Sequence, residues 1–390
     1  IIILVPNLRF PEFQGEWEEE RLADIADLYK GTGISKDQLS DDGEPCILYG
    51  ELYTKYKSET IREVISKTNI DNTKLVRSKA NDVIIPCSGE TAEDIATARC
   101  VLNGNILLGG DLNIIRLHGY DGAFMSYQLN GRRKYDIAKV AQGVSVVHLY
   151  GEHLKGVKTI NPCLEEQKKI AKLLSLLDER IATQNKIIED LKKLKSAIIE
   201  IEYTPNTKTT SPIGDVIEQI SKRNKNNAIQ NVLSVSNRQG FIKQSDQFEN
   251  RNVASEDTSN YKIVEQNDFA FNPARINVGS IARLTTFENG IVSPMYICFR
   301  TQENVAPEYI DFFFESKHFY CEIQKRLEGS VRQCLSFEGL CNIPLSLPSF
   351  EMQQRIGKRL FTLGQKIKTE TDLLELLNKQ KQYLLRQMFI

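Results

Sequence analysis

The strongest constraint on this chain is that it contains its own pattern twice. Residues Pro162–Ile199 align without a gap on Pro348–Leu385, an offset of 186. Identities include Pro162/Pro348, Glu165/Glu351, Gln167/Gln353, Ile170/Ile356, Leu174/Leu360, Leu177/Leu363, Leu191/Leu377 and Lys195/Lys381. The same register continues upstream through Gly143/Gly329, Leu149/Leu335, Leu154/Leu340 and Asn81-Asp82/Asn267-Asp268. Chance does not hold one register over such a span, so the chain is an internal duplication.

Each copy reads as a variable part followed by a helix of about 40 residues. The boundaries fall at 1–161 and 162–202 for the first copy, and at 203–347 and 348–390 for the second. Short β-rich runs such as Val83–Pro86, Asn105–Leu108, Asn113–Leu117, Asp268–Asn272 and Ile291–Arg300 alternate with Gly, Asn, Asp and Pro turns. A local helix is expected over Glu308–Leu327. The pattern predicts an α+β class with mixed or antiparallel sheet.

A chain of 390 residues with 41% apolar and 26% charged residues can bury two or three cores. Its eight cysteines are scattered with no Cys-x-x-Cys pair, which argues against a zinc site or a disulfide framework. They are expected to be reduced thiols in a cytoplasmic protein. The apolar run Ile1–Val5 is too short for a signal segment or a membrane span, so no membrane partner is expected. A net charge of −1 supplies no bulk basic footprint for nucleic acid.

Both helices carry an apolar heptad seam with polar interruptions. In the central helix it runs Leu177, Ile181, Gln184, Ile188, Leu191, Lys195 and Ile198; in the C-terminal helix, Ile367, Glu370, Leu374, Leu377, Lys381 and Leu384. Neither stripe can stay in water alone. Parallel packing in register would set Lys195 against Lys381. Antiparallel packing can set Lys195 against Glu370 and Gln184 against Lys381 while matching the apolar positions, so an antiparallel intramolecular coiled coil with pseudo-two-fold symmetry is expected. At 1.5 Å per residue such helices span roughly 54 Å, with the variable parts at opposite ends. The bland alternative is two amphipathic helices, each docked on its own domain.

The opening Leu8-Arg9-Phe10-Pro11-Glu12-Phe13, then Gly15-Glu16-Trp17, closely resembles the start of specificity (S) subunits of type I restriction-modification systems. So do Leu22–Ile25, Lys30–Lys36, Tyr49–Thr54, the helix entries Pro162–Gln167 and Pro348–Gln353, and the terminal Leu384–Phe389. The resemblance covers essentially the whole chain. It implies that each variable part is a target recognition domain reading one half of a bipartite double-stranded DNA target. It also implies that the helices form a spacer that sets the gap and docks methylation (M) subunits, two in number. Restriction (R) motor-nuclease subunits complete such a phage-defence complex. S-adenosylmethionine, ATP and Mg2+ then belong to the partner subunits, and this chain is a non-catalytic DNA-binding subunit. The two variable parts differ, so the expected target is asymmetric.

Base readout favours Arg or Lys on guanine and Asn or Gln on adenine. In the second head the candidates are Ser330, Arg332 and Gln333 beside Gly329, then Asn272 and Arg275, and Arg238 before Gly240. His148 closes the matching first-head loop Gly143–His148. Lys30, Lys36, Tyr49, Tyr53 and Lys55 flank glycine turns in the first head, and Arg132 and Arg133 form a basic run suited to phosphates. The bland reading of each is a solvated surface side chain.

Enzyme readings fare poorly. Asn272-Pro273-Ala274-Arg275 lacks the second proline and the aromatic residue of an adenine methyltransferase motif. Lys30-Gly31-Thr32-Gly33 lacks the ending of a phosphate-binding loop, and the four histidines have no metal spacing. The remaining competitor is a coiled-coil scaffold with two protein-binding heads and no direct DNA readout.

Overall fold

The computed structural model describes residues 4–71, 73–143, 146–204, 210–237, 239–247, 257–329 and 333–390. The chain divides into two compact units, Ile1–Asn185 with Asp372–Ile390, and Lys186–Thr371. Each unit holds one β-rich head and half of each long helix. The long helices run Leu164–Tyr203 and Phe350–Met388.

In the first unit the main sheet has the order Ala26–Lys30, Leu112–Leu117, Asp82–Pro86, Arg99–Val101, Thr60–Ile61. Val83, Ile84 and Ile85 are all buried, as expected of a strand covered on both faces. A second sheet has the order Leu107–Leu108, Glu44–Ile47, Ser66–Thr68, Leu39–Ser40. Within it Leu107–Leu108 runs parallel to Glu44–Ile47.

The second unit repeats the scheme. One sheet has the order Ile217–Ile220, Ile297–Thr301, Phe269–Phe271, Ile281–Arg283; the other Gly240–Lys243, Val232–Ser236, Asn289–Val292, Lys262–Glu265. Asn289–Val292 is again parallel to Val232–Ser236. The core is rebuilt with aromatic residues: Phe269 stacks on Phe299 at 5.1 Å, where the first unit packs Val83, Ile85 and Ile115.

Two expected elements are each divided in two. The run Ile291–Arg300 splits into Asn289–Val292 and Ile297–Thr301, because the Ser293–Tyr296 turn interrupts it. The expected helix Glu308–Leu327 is two helices, Pro307–Phe313 and Lys317–Gln324. Ser316 breaks it by capping the second with its hydroxyl, which accepts the Phe319 N–H at 3.1 Å.

The duplicated polar residues are structural. Asn81 and Asn267 both take a left-handed backbone, φ 78° and 73°, just ahead of the equivalent strands. The next residue in each copy is a buried aspartate. Asp82 accepts from the Lys79 N–H and from Arg116, and Asp268 accepts from the Glu265 N–H and from Arg300. Gln167 and Gln353, each 1% exposed, bridge two backbone segments. Their amides donate to the Pro162 and Pro348 carbonyls, at 2.8 and 2.9 Å, and accept the Asp121 and Ala306 N–H groups, at 2.9 and 3.0 Å. The start of each long helix is thereby pinned to the start of a head helix.

Within each unit the first half of one long helix packs with the last half of the other, so the two run antiparallel. Ile170, Ala171 and Leu174 share a core with Met388 and Phe389, and Ile198, Ile199 and Tyr203 share one with Ile356 and Leu360. Leu177, Gln184, Ile188, Ile198, Glu370 and Leu377 are buried; Ile181, Leu191, Lys195, Ile367, Leu374, Lys381 and Leu384 are half-buried.

The expected polar pairs across the seam are not the ones formed. Lys381 donates to Asp178, six residues before Gln184 on the central helix, and to Glu59 of the first head, both at 2.6 Å. Lys195 donates to Glu315 of the second head at 2.7 Å rather than to Glu370, whose carboxylate holds Lys366 on its own helix. The physical reason is competition from other acids. Lys195 finds a head carboxylate at the seam's edge and needs no charge buried between the helices. Lys381 meets Asp178 across the helices with Glu59 of the head beside it, and the two carboxylates offset its burial.

The first of these sites is the more enclosed. Asp178 also accepts from the Tyr127 hydroxyl at 2.7 Å and the Ser58 hydroxyl at 2.9 Å. Burial pushes the Glu59 carboxyl up, against the pull of Lys381. Burial opposes the Lys381 charge as well, but Glu59 and Asp178 together hold its pKa above the ordinary 10.5.

All eight cysteines are free thiols, and burial pushes Cys46 and Cys87 up to about 11 and Cys298 up to about 12.

Gln353→Ala should leave the Ala306 N–H and Pro348 carbonyl without their partner and lower the unfolding free energy by about 1–3 kcal/mol. Gln167→Ala should do the same in the first unit, and unchanged urea midpoints in both variants would show that water replaces the amide. Lys381→Met strands two carboxylates and should cost about 3–5 kcal/mol, less when Glu59→Gln and Asp178→Asn are added. Because the Lys381 pKa is raised on folding, its contribution is full below 10.5 and is lost as pH rises through the folded value. The melting-temperature gap between wild type and Lys381→Met should therefore narrow above about pH 10.5.

Candidate nucleic-acid interface

In both heads a cleft opens where the two parallel strands end. In the first head the walls come from Leu48, Tyr49, Gly50 and Glu51 after strand Glu44–Ile47, and from Gly110 and Asp111 after Leu107–Leu108. In the second they come from Ser234–Asn237, at the end of Val232–Ser236, and from Ser293, Met295 and Tyr296 after Asn289–Val292. The carboxyl edges of parallel strands are common ligand-binding places in mixed sheets, because the loops that leave them diverge.

The first-head cleft has a volume of about 880 Å3. It gathers four of the sequence candidates, Lys36, Tyr49, Tyr53 and Lys55, and Lys30 lies 3.9 Å from its wall residue Asp111. Lys55 is held by Glu51 at 2.7 Å and the Ser66 hydroxyl at 3.0 Å. Lys36, Tyr49 and Tyr53 have no side-chain partner among the described residues. Burial pushes the Tyr53 hydroxyl up, so it stays protonated and can donate at neutral pH.

The Lys30–Gly33 motif reaches this wall through Gly33. The Gly31 N–H donates to Leu112 and the Thr32 N–H to Leu108, and a Cβ at Gly31 would collide with the Gly109 carbonyl. That close approach is why glycine stands there.

The second-head cleft is smaller, about 400 Å3, and its lining mixes polar side chains, Asn237, Gln244, Asn272, Arg275 and several serines, with Val235, Tyr261, Met295 and Tyr296. Asn272 and Arg275 were legible as candidates. Asn237, Gln244, Met295 and Tyr296 were not, because nothing local in the sequence shows which strands run parallel.

Four further candidates lie outside both clefts. Arg132 donates to the Arg386 carbonyl at 2.9 Å and Arg133 to Ile390 at 3.3 Å, so this basic pair serves the carboxyl end of the C-terminal long helix. His148 is exposed on a two-residue strand and stacks on Tyr150 at 6.1 Å. Gln333 is exposed. Arg238, Ser330 and Arg332 lie outside the described residues.

Comparison with known proteins bears directly on these paired heads. The family model for the type I restriction modification DNA specificity domain matches twice, over residues 14–193 and 205–379. This chain belongs to that family. The type I restriction enzyme MjaVIII specificity subunit of Methanocaldococcus jannaschii is 24% identical, covering 97% of this chain and 91% of that protein. The putative MjaX specificity subunit of the same organism is also 24% identical, covering 96% and 91%. The crystal structure of an S subunit from M. genitalium superposes with a TM-score of 0.65 at 17% identity, covering 99% of both chains.

The chain is thus a non-catalytic specificity subunit of a type I restriction-modification complex, with two specificity domains and two long helices. Among the described residues no helix is long and apolar enough to cross a membrane.

Proposed function

We propose that each head's cleft reads one half of a bipartite, asymmetric duplex DNA target, and that the long helices set the spacing and dock two methylation subunits. S-adenosylmethionine, ATP and Mg2+ belong in this reading to the methylation and restriction subunits, and the whole complex works in the cytoplasm. The observation that carries it is the pair of clefts at one topological position with different linings. A shared position suits one kind of ligand, and different linings suit two different sequences.

In the first head, Tyr49 and Tyr53 offer aromatic faces and hydroxyl donors, and Lys36 and Lys55 offer charge to the flanking phosphates. Lys30, Arg132, Arg133 and His148 stand as secondary contacts. In the second head Asn272 and Arg275 lie in the cleft, and Arg238, Ser330, Arg332 and Gln333 stand as further proposed contacts.

The deciding experiment is methylome sequencing of cells that express this chain with its methylation subunit. The expected result is methyladenine at one split, asymmetric sequence that disappears when the chain is deleted. No chain-dependent mark, with the proteins soluble and co-purifying, would favour a protein-binding scaffold instead; a palindromic motif would remove the asymmetric reading. In the assembled complex, Lys36→Ala with Lys55→Ala should weaken duplex binding at all sequences alike. The salt slope should fall by about one for each phosphate no longer neutralised, as fluorescence anisotropy at several salt concentrations would read.

A further inference from the structure

The second-head cleft carries a donor set that its first-head counterpart lacks. Asn272, 6% exposed, turns its side-chain oxygen to the Ala274 N–H at 3.1 Å. That bond sets the amide's orientation, and its nitrogen has no hydrogen bond among the described residues. Arg275 is exposed, yet its backbone is fixed: its N–H donates to the Asn272 carbonyl at 3.0 Å, and its own carbonyl accepts from Val278 and Ser280.

The guanidinium on this fixed backbone has no partner among the described residues. Two other arginines of the same head are engaged: Arg283 holds Glu308 at 2.7 Å and Arg300 holds Asp268 at 3.0 Å. Among the described residues, no aspartate or glutamate lines the cleft to neutralise Arg275.

The pair therefore presents donors to whatever enters. In the major groove only guanine shows two adjacent acceptors, N7 and O6; adenine and cytosine present an amino donor, and thymine sets a methyl group beside its one acceptor. Arginine's planar fork matches the guanine edge in two parallel hydrogen bonds. We infer that Arg275 reads a guanine in the half-site recognised by the second head, with Asn272 as an added donor beside it. The inference rests on the DNA-reading role proposed above, and it assigns one base of one half-site to one side chain. Among the described residues the first-head cleft has no arginine in its walls, so the bidentate arginine contact belongs to the second half-site.

The test uses the full chain with its methylation subunit in cells, as wild type, Arg275→Ala and Arg275→Gln, and maps methyladenine in each. Wild type should mark one split motif. In Arg275→Ala one guanine position in one half becomes degenerate while the other half is unchanged. Binding of the purified complex to duplexes varied at that position should lose roughly 5- to 150-fold discrimination. Arg275→Gln should shift acceptance toward adenine at the same position.

The inference is overturned if both variants keep the guanine requirement intact. It is also overturned if they weaken binding equally at every sequence and reduce the salt slope by about one, the signature of a phosphate contact. If wild type itself leaves no chain-dependent mark, the DNA-reading role fails first, which separates the two claims. Arg275 is exposed and bonds through its backbone, so both variants should fold; co-purification with the methylation subunit verifies it.

Discussion

The fold depends on one buried amide used twice. Gln167 and Gln353 stand at the same place in the two copies and each joins the loop entering a long helix to the first turn of a head helix. A glutamine suits this place because it carries both a donor and an acceptor on one short arm and no charge to desolvate. With the helix entry fixed, the direction of some 40 following residues is fixed too. The heads could then diverge in composition, aliphatic in one and aromatic in the other, while each keeps a second sheet built around one parallel strand pair.

The lysines of the helix seam show how a duplication is tuned after the event. Lys195 and Lys381 are aligned residues, and each takes an acid on a head, Lys381 together with Asp178 on the facing helix. Their surroundings are unequal. Lys381 sits between Glu59 and Asp178, with Tyr127 and Ser58 completing the carboxylate's hydrogen bonds, whereas Lys195 pairs with a half-exposed Glu315 and lies over the Phe312 ring. The residue aligned with Asp178 is Gly364, so the second copy lacks the helix-borne acid. Deep, fully bonded charge gives a specific contact, and an exposed pair gives a weak one. The two halves of the molecule are thus alike in plan and different in how firmly the helices are tied.

Much of this was legible from residue order alone. The duplication, the α+β class, the two long helices and their antiparallel sense follow from a repeat, from heptad spacing and from the like charges that a parallel seam would juxtapose. The pairing within the seam was not legible, because two of the winning partners, Glu59 and Glu315, sit in the heads, where sequence spacing carries no distance information. The third, Asp178, lies on the central helix outside the seam positions that the heptad reading matched. The recognition candidates divide in the same way. Lys36, Tyr49, Tyr53 and Lys55 flank glycine turns and do meet in one cleft, while Arg132 and Arg133 read as phosphate binders but bond to helix-end carbonyls. A basic dipeptide looks the same in sequence whether it faces a phosphate or the negative end of a helix.

The make-up of the first unit has a consequence for synthesis. Its core places Trp17, Phe124 and Ile170 around Met388 and Phe389, and its enclosed ion cluster needs Lys381. These come from opposite ends of the chain. A ribosome delivers the first head early, but the residues that close its core and neutralise Glu59 and Asp178 emerge only after the whole second head. The unit begun first is completed after the second, and until then its apolar floor near Phe124 and its buried carboxylates wait open to solvent or to chaperones.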